Sequence, residues 1–504
     1  MDLLFYLTLG FFILLYGTLD INIDFDFFAR LIVGKSFFQT NSLFNNEFYS
    51  YGTTHEFIDH EWGSSLVFYL LQNYLGDTGL FFAKSIIIFL TLFIIIKIIK
   101  LEKSDAKLHF LFFFFAIQSI SYNIFSTIRC QSFSFFFFVF YLYILKYAKK
   151  NNNYKILWTL PVLNIIWANL HGGFAIGLIL IFLFAVGEFL NKDKFKPYLV
   201  TLFVCLLTTL INPYGIEYIY FIFDALSLNR IHITEWQSAF FSKVFYFTLL
   251  KFKMFFISAL FVFIYSIAKN IKKNGLIDFY QKIDKTKYLI ILFTILISLK
   301  SLRFHVFFTY AILALCYVDF YNIFNKKCSP LLDKIKEILL CLLVFVSLIS
   351  HLYEYKFLNI VTPNEYPVYC VEFIKKNNIK GNVFSNFHIG SYVAYKLFPN
   401  NLVFMDGRYE EVYDVDLINK MGKFYLGENN KFLDEFHHDI LILDKVYPIA
   451  KEFKNNKNYF SPWEDDYFVL YLSNKYKNNK FVLPEKNINY YHKTKFITEI
   501  DWIN

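Results

Sequence analysis

Two carboxylates near the start of the sequence have a spacing that could support catalysis. Asp24 and Asp26 are two residues apart and follow the first apolar segment. At a membrane surface, such a pair could hold a divalent cation such as Mg²⁺ or Mn²⁺ that bridges to a phosphate, or one carboxylate could act as a general base. A solvated acidic loop would have the same composition. Asp24 and Asp26 are therefore candidate catalytic residues. They are also the candidate metal ligands if the protein uses a metal, but the sequence does not require any cofactor.

A second polar group, Asp59-His60-Glu61-Trp62, precedes an apolar run. Asp59 and Glu61 could take part in catalysis, or they could cap a helix, because a helix N-terminus favours negative charge. Trp62 is typical of the membrane–water interface. The sequence leaves the catalytic and the structural interpretations equally open.

Further polar residues stand beside apolar segments. His171 lies in the segment Asn169-Leu-His-Gly-Gly173, where a hydrogen bond within a tight turn is favoured over substrate binding. Arg129 and Arg303 could extend towards lipid headgroups or pair with a lipid-linked phosphate. The residue types do not separate these alternatives.

The elements that must position these residues are mostly apolar. Of the 504 residues, 56% are hydrophobic and 18% are charged, whereas a soluble chain has about 25% charged residues. The net charge of +9 does not indicate nucleic-acid binding, because the lysines lie in short runs between apolar segments. This distribution is typical of a multi-span membrane protein and excludes an ordinary soluble enzyme.

Eleven apolar segments predict membrane-spanning helices, since about 20 apolar residues cross the hydrocarbon core. They lie at about 3–19, 78–100, 107–125, 131–147, 155–170, 172–190, 197–212, 254–270, 286–301, 304–323 and 336–353. Lysines cluster in alternate loops, which the positive-inside rule assigns to the cytoplasm. We therefore predict a polytopic α-helical membrane protein whose first span is not cleaved.

The same topology predicts a transmembrane domain at 1–354, with large outer loops at 20–77 and 213–253, and an extracytoplasmic α/β domain at 355–504. Within the loops, the apolar stretches 63–75 and 216–226 are too short to span and predict interfacial helices.

The C-terminal region alternates helix-like stretches with short apolar runs, which predicts a small α/β domain. The predicted strands lie at 382–385, 402–405, 440–443 and 468–471. Asp406 and Arg408 indicate a turn held by an ion pair, with substrate contact as the alternative. The sequence His437-His438-Asp439 is a weak metal-binding pattern, because neighbouring residues point apart.

Eight segments in sequential order resemble the bacterial multi-spanning proteins of the GT-C class of glycosyltransferases. They are DFDFFARLIVG (24–34), IDHEW (58–62), IRCQSFS (128–134), WANLHGG (167–173), INPYG (211–215), ITEWQ (233–237), SLRFHVFF (301–308) and the stretch at 381–413. The resemblance covers nearly the whole chain. In related chains Trp and His often stand where this chain has Phe27-Phe28 and Arg30, and Pro is common at Cys130.

The resemblance implies a location in the bacterial cytoplasmic membrane, a polyprenyl-phosphate-linked sugar donor and an acceptor presented at the outer face. Inversion at the anomeric carbon is expected if the transfer is a single displacement. An acidic residue of the first outer loop would be the base or metal anchor, which points to Asp24 or Asp26, with Asp59 and Glu61 as secondary candidates. The substrate-binding residues that it implies are Arg30, His60, Arg129, His171, Glu235, Trp236 and Arg303.

The leading function from sequence is therefore transfer of a sugar to a glycolipid, polysaccharide or protein acceptor. A lipid-linked glycan ligase or polymerase would share the same membrane site. A transporter or flippase would need ionisable residues in mid-membrane, which the predicted spans almost lack. A non-catalytic assembly protein would tolerate replacement of Asp24 and Asp26. The partners predicted in every case include the lipid bilayer and exclude nucleic acid.

Overall fold

The computed structural model describes residues 2–19, 22–23, 25–41, 43, 48–53, 57–125, 127–227, 234–238, 240, 247–324, 330–354, 361–408, 412–428 and 431–485. The chain divides into two compact units. Met1–Asn22 and Thr78–Leu358 form the helical unit, and Ile23–Asp77 with Asn359–Asn504 form the mixed unit.

Nineteen α-helices and six β-strands follow one another along the described residues. Their bounds are α1 Asp2–Leu19, β1 Asn22–Ile23, α2 Phe25–Thr40, α3 Trp62–Glu102, α4 Phe110–Ser119, α5 Ser121–Phe125, β2 Thr127–Ile128, α6 Gln131–Asn151, α7 Thr159–Leu170, α8 Phe174–Leu190, α9 Lys196–Thr208, α10 Ile216–Ser227, α11 Phe247–Asn274, α12 Leu276–Lys282, α13 Lys285–Lys300, α14 His305–Phe324, α15 Pro330–Glu354, α16 Val368–Lys376, β3 Val383–Ser385, α17 Phe387–Leu397, α18 Val415–Tyr425, β4 Ile440–Asp444, α19 Ile449–Glu452, β5 Tyr459–Glu464 and β6 Phe468–Ser473.

Each of the eleven segments predicted to span contains α-helix in the structure. Within the described residues, four stretches are long and apolar enough to cross a membrane, and they are Trp62–Glu102, Gln131–Asn151, Leu249–Asn274 and Leu302–Ile323. The same part of the chain holds four shorter apolar helices, at Leu3–Gly17, Phe110–Ser119, Phe174–Leu190 and Lys196–Thr208. The helical membrane character is thus supported, and the number of eleven spans stays a prediction.

The segment predicted as one helix at 107–125 is divided between α4 and α5. The hydroxyl of Ser119 donates to the carbonyl of Ala116 at 2.6 Å, and that of Ser121 donates to Gln118 at 3.1 Å. These short-range bonds occupy backbone carbonyls and favour a local turn over continued helix. The helix is therefore interrupted at Ile120.

The predicted interfacial stretch 63–75 is helical and runs on into α3. At Gly76, within α3, φ is +62° and the backbone is not helical. That conformation is disfavoured for a residue with a side chain, so glycine separates the first four turns of α3 from the remainder. The second predicted stretch, 216–226, is also a helix, α10. Their position at a membrane surface stays a prediction.

The mixed unit contains a four-stranded sheet in the order β3-β4-β6-β5. β3 and β4 are parallel, with Val383 opposite Ile440, whereas β4, β6 and β5 pair antiparallel. The prediction of a small α/β arrangement is confirmed in this part of the chain. Its predicted strand at 402–405 is wrong, because only Val403 makes bridges, one to Val383 and one to Ser50. The edge strand β5 was not predicted, since its polar residues and Pro462 weaken the alternating apolar pattern.

Aromatic side chains fill the core of the mixed unit. Phe384 lies 5.4 Å from Phe404, 5.3 Å from Phe424 and 6.0 Å from Tyr425 between ring centroids. These rings bury large areas, and their edge-to-face and offset contacts add to the burial energy. Phenylalanine in this chain therefore builds a packed core as well as apolar membrane segments.

His438, beside this aromatic core, predicts an acid-sensitive stability. Its side chain is buried, and Nδ1 lies 2.6 Å from the hydroxyl of Tyr51. Burial lowers the pKa of His438 to about 4; His437 adds to this effect and Asp439 opposes it. Between about pH 6.5 and pH 4 the unfolded chain therefore binds a proton that the folded chain does not, so stability falls as the pH falls, by at most about 3 kcal/mol.

The measurement is the apparent melting temperature of the full chain in detergent at pH 7.5 and pH 4.5. His438→Gln should remove part of the decrease on acidification. The control is His437→Gln, since the side chain of His437 is exposed. An equal decrease in the two variants would contradict the assignment to His438.

Candidate functional site

The first predicted acidic pair is only partly described. Asp24 lies outside the described residues, whereas Asp26 is in the first turn of α2 and is exposed. A carboxylate in a first helical turn is stabilised by the positive end of the helix dipole. Arg30 follows four residues later, one turn along the same helix.

Arg30 and Asp59 form a buried ion pair that the sequence did not predict. Their side chains are 5% and 3% exposed, and an Arg30 guanidinium nitrogen donates to Asp59 Oδ1. The same Oδ1 accepts the backbone N–H of Glu61 at 2.9 Å. Asp59 therefore fixes the turn that leads into α3, which confirms a structural role near a helix start and leaves its catalytic role a prediction.

Glu61 and His60 lie beside this pair. Glu61 Oε2 is 3.7 Å from Arg30 Nη1, and Glu61 Oε1 is 3.7 Å from His60 Nε2. Both side chains are more exposed than that of Asp59. We call Arg30, Asp59, His60 and Glu61 the Arg30 cluster; it brings together four predicted site residues, with Arg30 between two carboxylates.

Asp406 and Arg408 form the ion pair that their spacing predicted. Arg408 Nε donates to both carboxylate oxygens of Asp406, at 2.9 and 3.1 Å, and both residues are buried. The guanidinium also lies over the rings of Tyr49 and Phe57, at 4.3 and 4.7 Å from their centroids. This cation therefore holds the segment that carries Phe57, two residues before Asp59, against the turn at 406–408.

In the helical unit, Arg129 pairs with Glu235. Glu235 belongs to a 3-10 turn at Thr234–Trp236, and an Arg129 guanidinium nitrogen donates to its carboxylate. Burial raises the pKa of Glu235, but the guanidinium groups of Arg129 and Arg303 outweigh it, so the pKa is lowered overall. Glu235 is therefore ionised at neutral pH, which suits an anchor for arginine rather than a proton donor.

Arg303 has a different environment. Its guanidinium lies 5.1 Å from the centroid of the Trp236 ring, and among the described residues it forms no ion pair within 4 Å. The hydroxyl of Ser301 donates to the backbone carbonyl of Glu235 at 2.6 Å and joins the two turns. Of Arg129 and Arg303, Arg303 is thus the residue whose charge is less compensated.

The Nδ1 atom of His171 takes part in two hydrogen bonds. It accepts the Gly173 N–H at 2.9 Å and the Ser134 hydroxyl at 2.7 Å. The Ser134 oxygen in turn accepts the indole N–H of Trp167 at 2.7 Å. A Cβ on Gly173 would lie 2.4 Å from the Ser134 oxygen, so glycine is needed there. The geometry supports the turn interpretation, and substrate binding by His171 stays a prediction.

Some residues that shape these sites were missed from the sequence. Ser134 and Ser301 each lie inside one of the eight segments that resemble the GT-C class. A single serine, however, carries no pattern that marks it as a hydrogen-bond partner. Tyr49 and Phe57 would be expected only as core residues, because their partner Arg408 is more than 300 positions away.

Within the described part of the chain, no group of three or more His, Cys, Asp or Glu side chains could hold a metal ion. In the weak pattern near β4, His437 Nε2 lies 3.1 Å from Asp439 Oδ1, whereas His438 contacts Tyr51. The two histidines therefore do not converge. A metal at Asp24 and Asp26 stays a prediction.

The sequence matches no protein-family model and no curated protein. The structure is similar to the crystal structure of the Archaeoglobus fulgidus oligosaccharyltransferase in its apo form, with a TM-score of 0.55. The match covers 87% of this chain and 69% of the other, at 10% sequence identity. This chain therefore shares the fold of that structure over most of its length. The shared fold agrees with the resemblance of the eight sequence segments.

The Arg129–Glu235 pair gives a prediction for the helical unit. Because Glu235 is ionised at neutral pH, Glu235→Gln or Arg129→Gln should each lower the melting temperature at pH 7. The coupling between the two residues in a double-mutant cycle should be roughly 1–3 kcal/mol. Since the pKa of Glu235 is lowered, this stabilisation should be lost only below about pH 4.5. The charge-exchanged variant Arg129→Glu/Glu235→Arg should recover part of the loss, and strictly additive single effects would contradict the pairing.

Proposed function

We propose that this protein is a membrane glycosyltransferase that moves a sugar from a polyprenyl-phosphate-linked donor to a glycolipid, polysaccharide or protein acceptor. The observation that carries the proposal is the GT-C-like fold, which matches an oligosaccharyltransferase over 87% of the chain. The apolar helices support it, because a lipid-linked donor must stay in the bilayer while its sugar leaves. The proposed location is the outer face of the bacterial cytoplasmic membrane.

The proposed reaction is a single displacement. The acceptor hydroxyl oxygen attacks the anomeric carbon while the bond from that carbon to the phosphate oxygen breaks, and polyprenyl phosphate leaves. A carboxylate takes the hydroxyl proton, and a cation stabilises the phosphate. Attack opposite the leaving group inverts the anomeric configuration.

Among the described acidic residues, Asp26 fits the base best. Its side chain is exposed, whereas Asp59 is buried and pairs with Arg30. Asp24 is an equal candidate by sequence, and Glu61, with a 13% exposed side chain, is a secondary one. A divalent cation at Asp24 and Asp26 is proposed only as an option, so no step is routed through it.

For the phosphate, Arg303 is the preferred cation, because it stacks on Trp236 without an ion pair among the described residues. Stacking orients the planar guanidinium and leaves its edge N–H groups to donate to phosphate oxygens. Arg129 and Glu235 would then position this turn. His171, Arg30 and His60 remain proposed substrate contacts.

A lipid-linked glycan ligase is the second candidate. It is favoured by the fold neighbour, which is named an oligosaccharyltransferase. The two candidates differ in the donor, which carries one sugar residue in the first and a preassembled oligosaccharide in the second.

The test is glycan and glycolipid profiling of a strain that lacks the gene, complemented with the wild-type protein or with Asp26→Asn. We expect the deletion to lose one glycosylated species and to accumulate its lipid-linked donor, with rescue by the wild type alone. The size of the accumulated donor distinguishes the two candidates. An unchanged glycan and glycolipid profile would overturn the enzyme proposal.

A further inference from the structure

Three lysines of the mixed unit share one surface region. Lys35 on α2 and Lys396 on α17 both lie over the ring of Tyr395, at 5.6 and 5.4 Å from its centroid. Lys396 also lies 5.8 Å from the centroid of Tyr392. Lys375, at the end of α16, is exposed. We call Lys35, Lys375, Lys396 and Tyr395 the lysine patch.

The charges of the lysine patch are poorly compensated. Burial lowers the pKa of all three lysines, and that of Lys375 is lowered further by repulsion from Lys396 and Lys35. Two carboxylates act in the opposite direction, Asp77 on Lys396 and Glu372 on Lys375. Asp77 also accepts a hydrogen bond from Gln72 at 2.8 Å. Within the described residues none of the three lysines has an ion-pair partner within 4 Å, so the patch keeps a positive excess.

An apolar rim lies next to the lysine patch. Phe38, one turn after Lys35, stacks on Tyr69 with 5.6 Å between centroids. Further along α3, the side chains of Tyr74 and Leu75 are 76% and 62% exposed. Large exposed apolar side chains beside lysines are typical of a surface that enters the headgroup region of a bilayer.

The sequence of α3 also supports the bilayer surface as the partner of the lysine patch. The helical turns that carry Tyr69, Tyr74 and Leu75 end at Gly76, and the apolar run that begins at Leu80 follows in the same helix, which as a whole is long and apolar enough to cross a membrane. Tyr74 and Leu75 are therefore only a few residues from the point where the chain would enter the hydrocarbon core.

We propose that the lysine patch and its apolar rim dock on the phosphate headgroups of anionic phospholipids at the bilayer surface. The lysine ammonium groups pair with lipid phosphates, while Phe38, Tyr74 and Leu75 insert between headgroups. This role goes beyond sugar transfer, because it describes how the mixed unit is held at the membrane. It requires no particular sugar donor or acceptor.

The test uses the full chain in nanodiscs of phosphatidylcholine alone or mixed with phosphatidylglycerol. A fluorophore is attached through Gln39→Cys, an exposed position on α2, in a Cys328→Ser background, since the five described cysteines are buried. Quenching by a headgroup spin-labelled lipid reports contact with the bilayer surface. We expect stronger quenching when phosphatidylglycerol is present.

Each lysine near an anionic surface should change the docked population roughly fivefold. Lys35→Gln/Lys375→Gln/Lys396→Gln should therefore abolish the effect of phosphatidylglycerol, whereas the three arginine substitutions should retain it. A matched control removes the same charge from three exposed lysines of the mixed unit and should keep the effect; it is Lys451→Gln/Lys457→Gln/Lys480→Gln. Quenching that does not depend on phosphatidylglycerol, or an equal loss in the two glutamine variants, would overturn the proposal.

Discussion

Asp26→Asn should lower sugar transfer by about a hundredfold or more while the protein still folds and inserts into the membrane. A general base contributes about 10² to 10⁴ in rate, and asparagine has nearly the same shape but cannot take a proton. The side chain of Asp26 is exposed and lies in the first turn of α2, so the variant should fold. The measurement is the rate of transfer from a polyprenyl-phosphate-linked sugar in proteoliposomes, with protein amount and melting temperature recorded in parallel.

A matched control exists in the same unit. Asp416 is an exposed carboxylate in the first turn of α18, just as Asp26 is in the first turn of α2. Asp416→Asn loses the same favourable interaction with a helix N-terminus, worth roughly 0.3–1 kcal/mol, and should keep full transfer. If Asp24→Asn, Asp26→Asn and Asp59→Asn all retained full transfer, the catalytic assignment of this loop would be abandoned.

Arg30→Met should destabilise the mixed unit by about 3–5 kcal/mol, because it leaves the Asp59 carboxylate buried without its cation. Asp59→Asn should be destabilising for the complementary reason. The double variant Arg30→Met/Asp59→Leu should recover part of the stability, since apolar replacement of a buried ion pair is often neutral but the Glu61 N–H loses its acceptor. Apparent melting temperatures of the full chain measure these effects.

An exposed pair of the same unit provides the comparison. Lys420 Nζ lies 2.8 Å from Glu435 Oε2, with both side chains almost half exposed. Lys420→Met should cost less than about 1 kcal/mol. A double variant as unstable as Arg30→Met would refute the pairing explanation. Because Asp59 has this structural role, lost transfer in Asp59→Asn alone would not identify a base, whereas lost transfer in a stable double variant would implicate the pair in the reaction.

The features that depend on local pattern could be predicted from the sequence. Apolar runs mark helices because their residues must be buried or placed in lipid, and every predicted span contains helix. The Asp406–Arg408 pair is also local, since two residues in one turn can meet without help from distant segments. The pairing of Arg30 with Asp59 could not be predicted, because 29 positions separate the two residues and only the folded chain brings them together.

Long-range pairing is the part that the sequence does not reveal. Val403 N donates to the Tyr49 carbonyl at 2.9 Å, and Tyr51 N donates to the Val403 carbonyl at 3.0 Å. A one-residue bridge of this kind depends on tertiary packing rather than on an alternating pattern. The grouping of Ile23–Asp77 with Asn359–Asn504 follows from such contacts. This grouping does not test the prediction that residues 1–354 form a transmembrane domain.

The mixed unit is formed by two segments that are far apart in the sequence, and this has a consequence for biogenesis. Ile23–Asp77 leaves the ribosome first, but its partners in Asn359–Asn504 follow only after Thr78–Leu358 has been made. At roughly 5–20 residues per second, that delay is on the order of tens of seconds. During this interval Tyr49, Phe57 and the Arg30–Asp59 pair lack the segments that later bury them. The nascent segment Ile23–Asp77 should therefore depend on a chaperone or on the membrane surface until Asn359–Asn504 has been made.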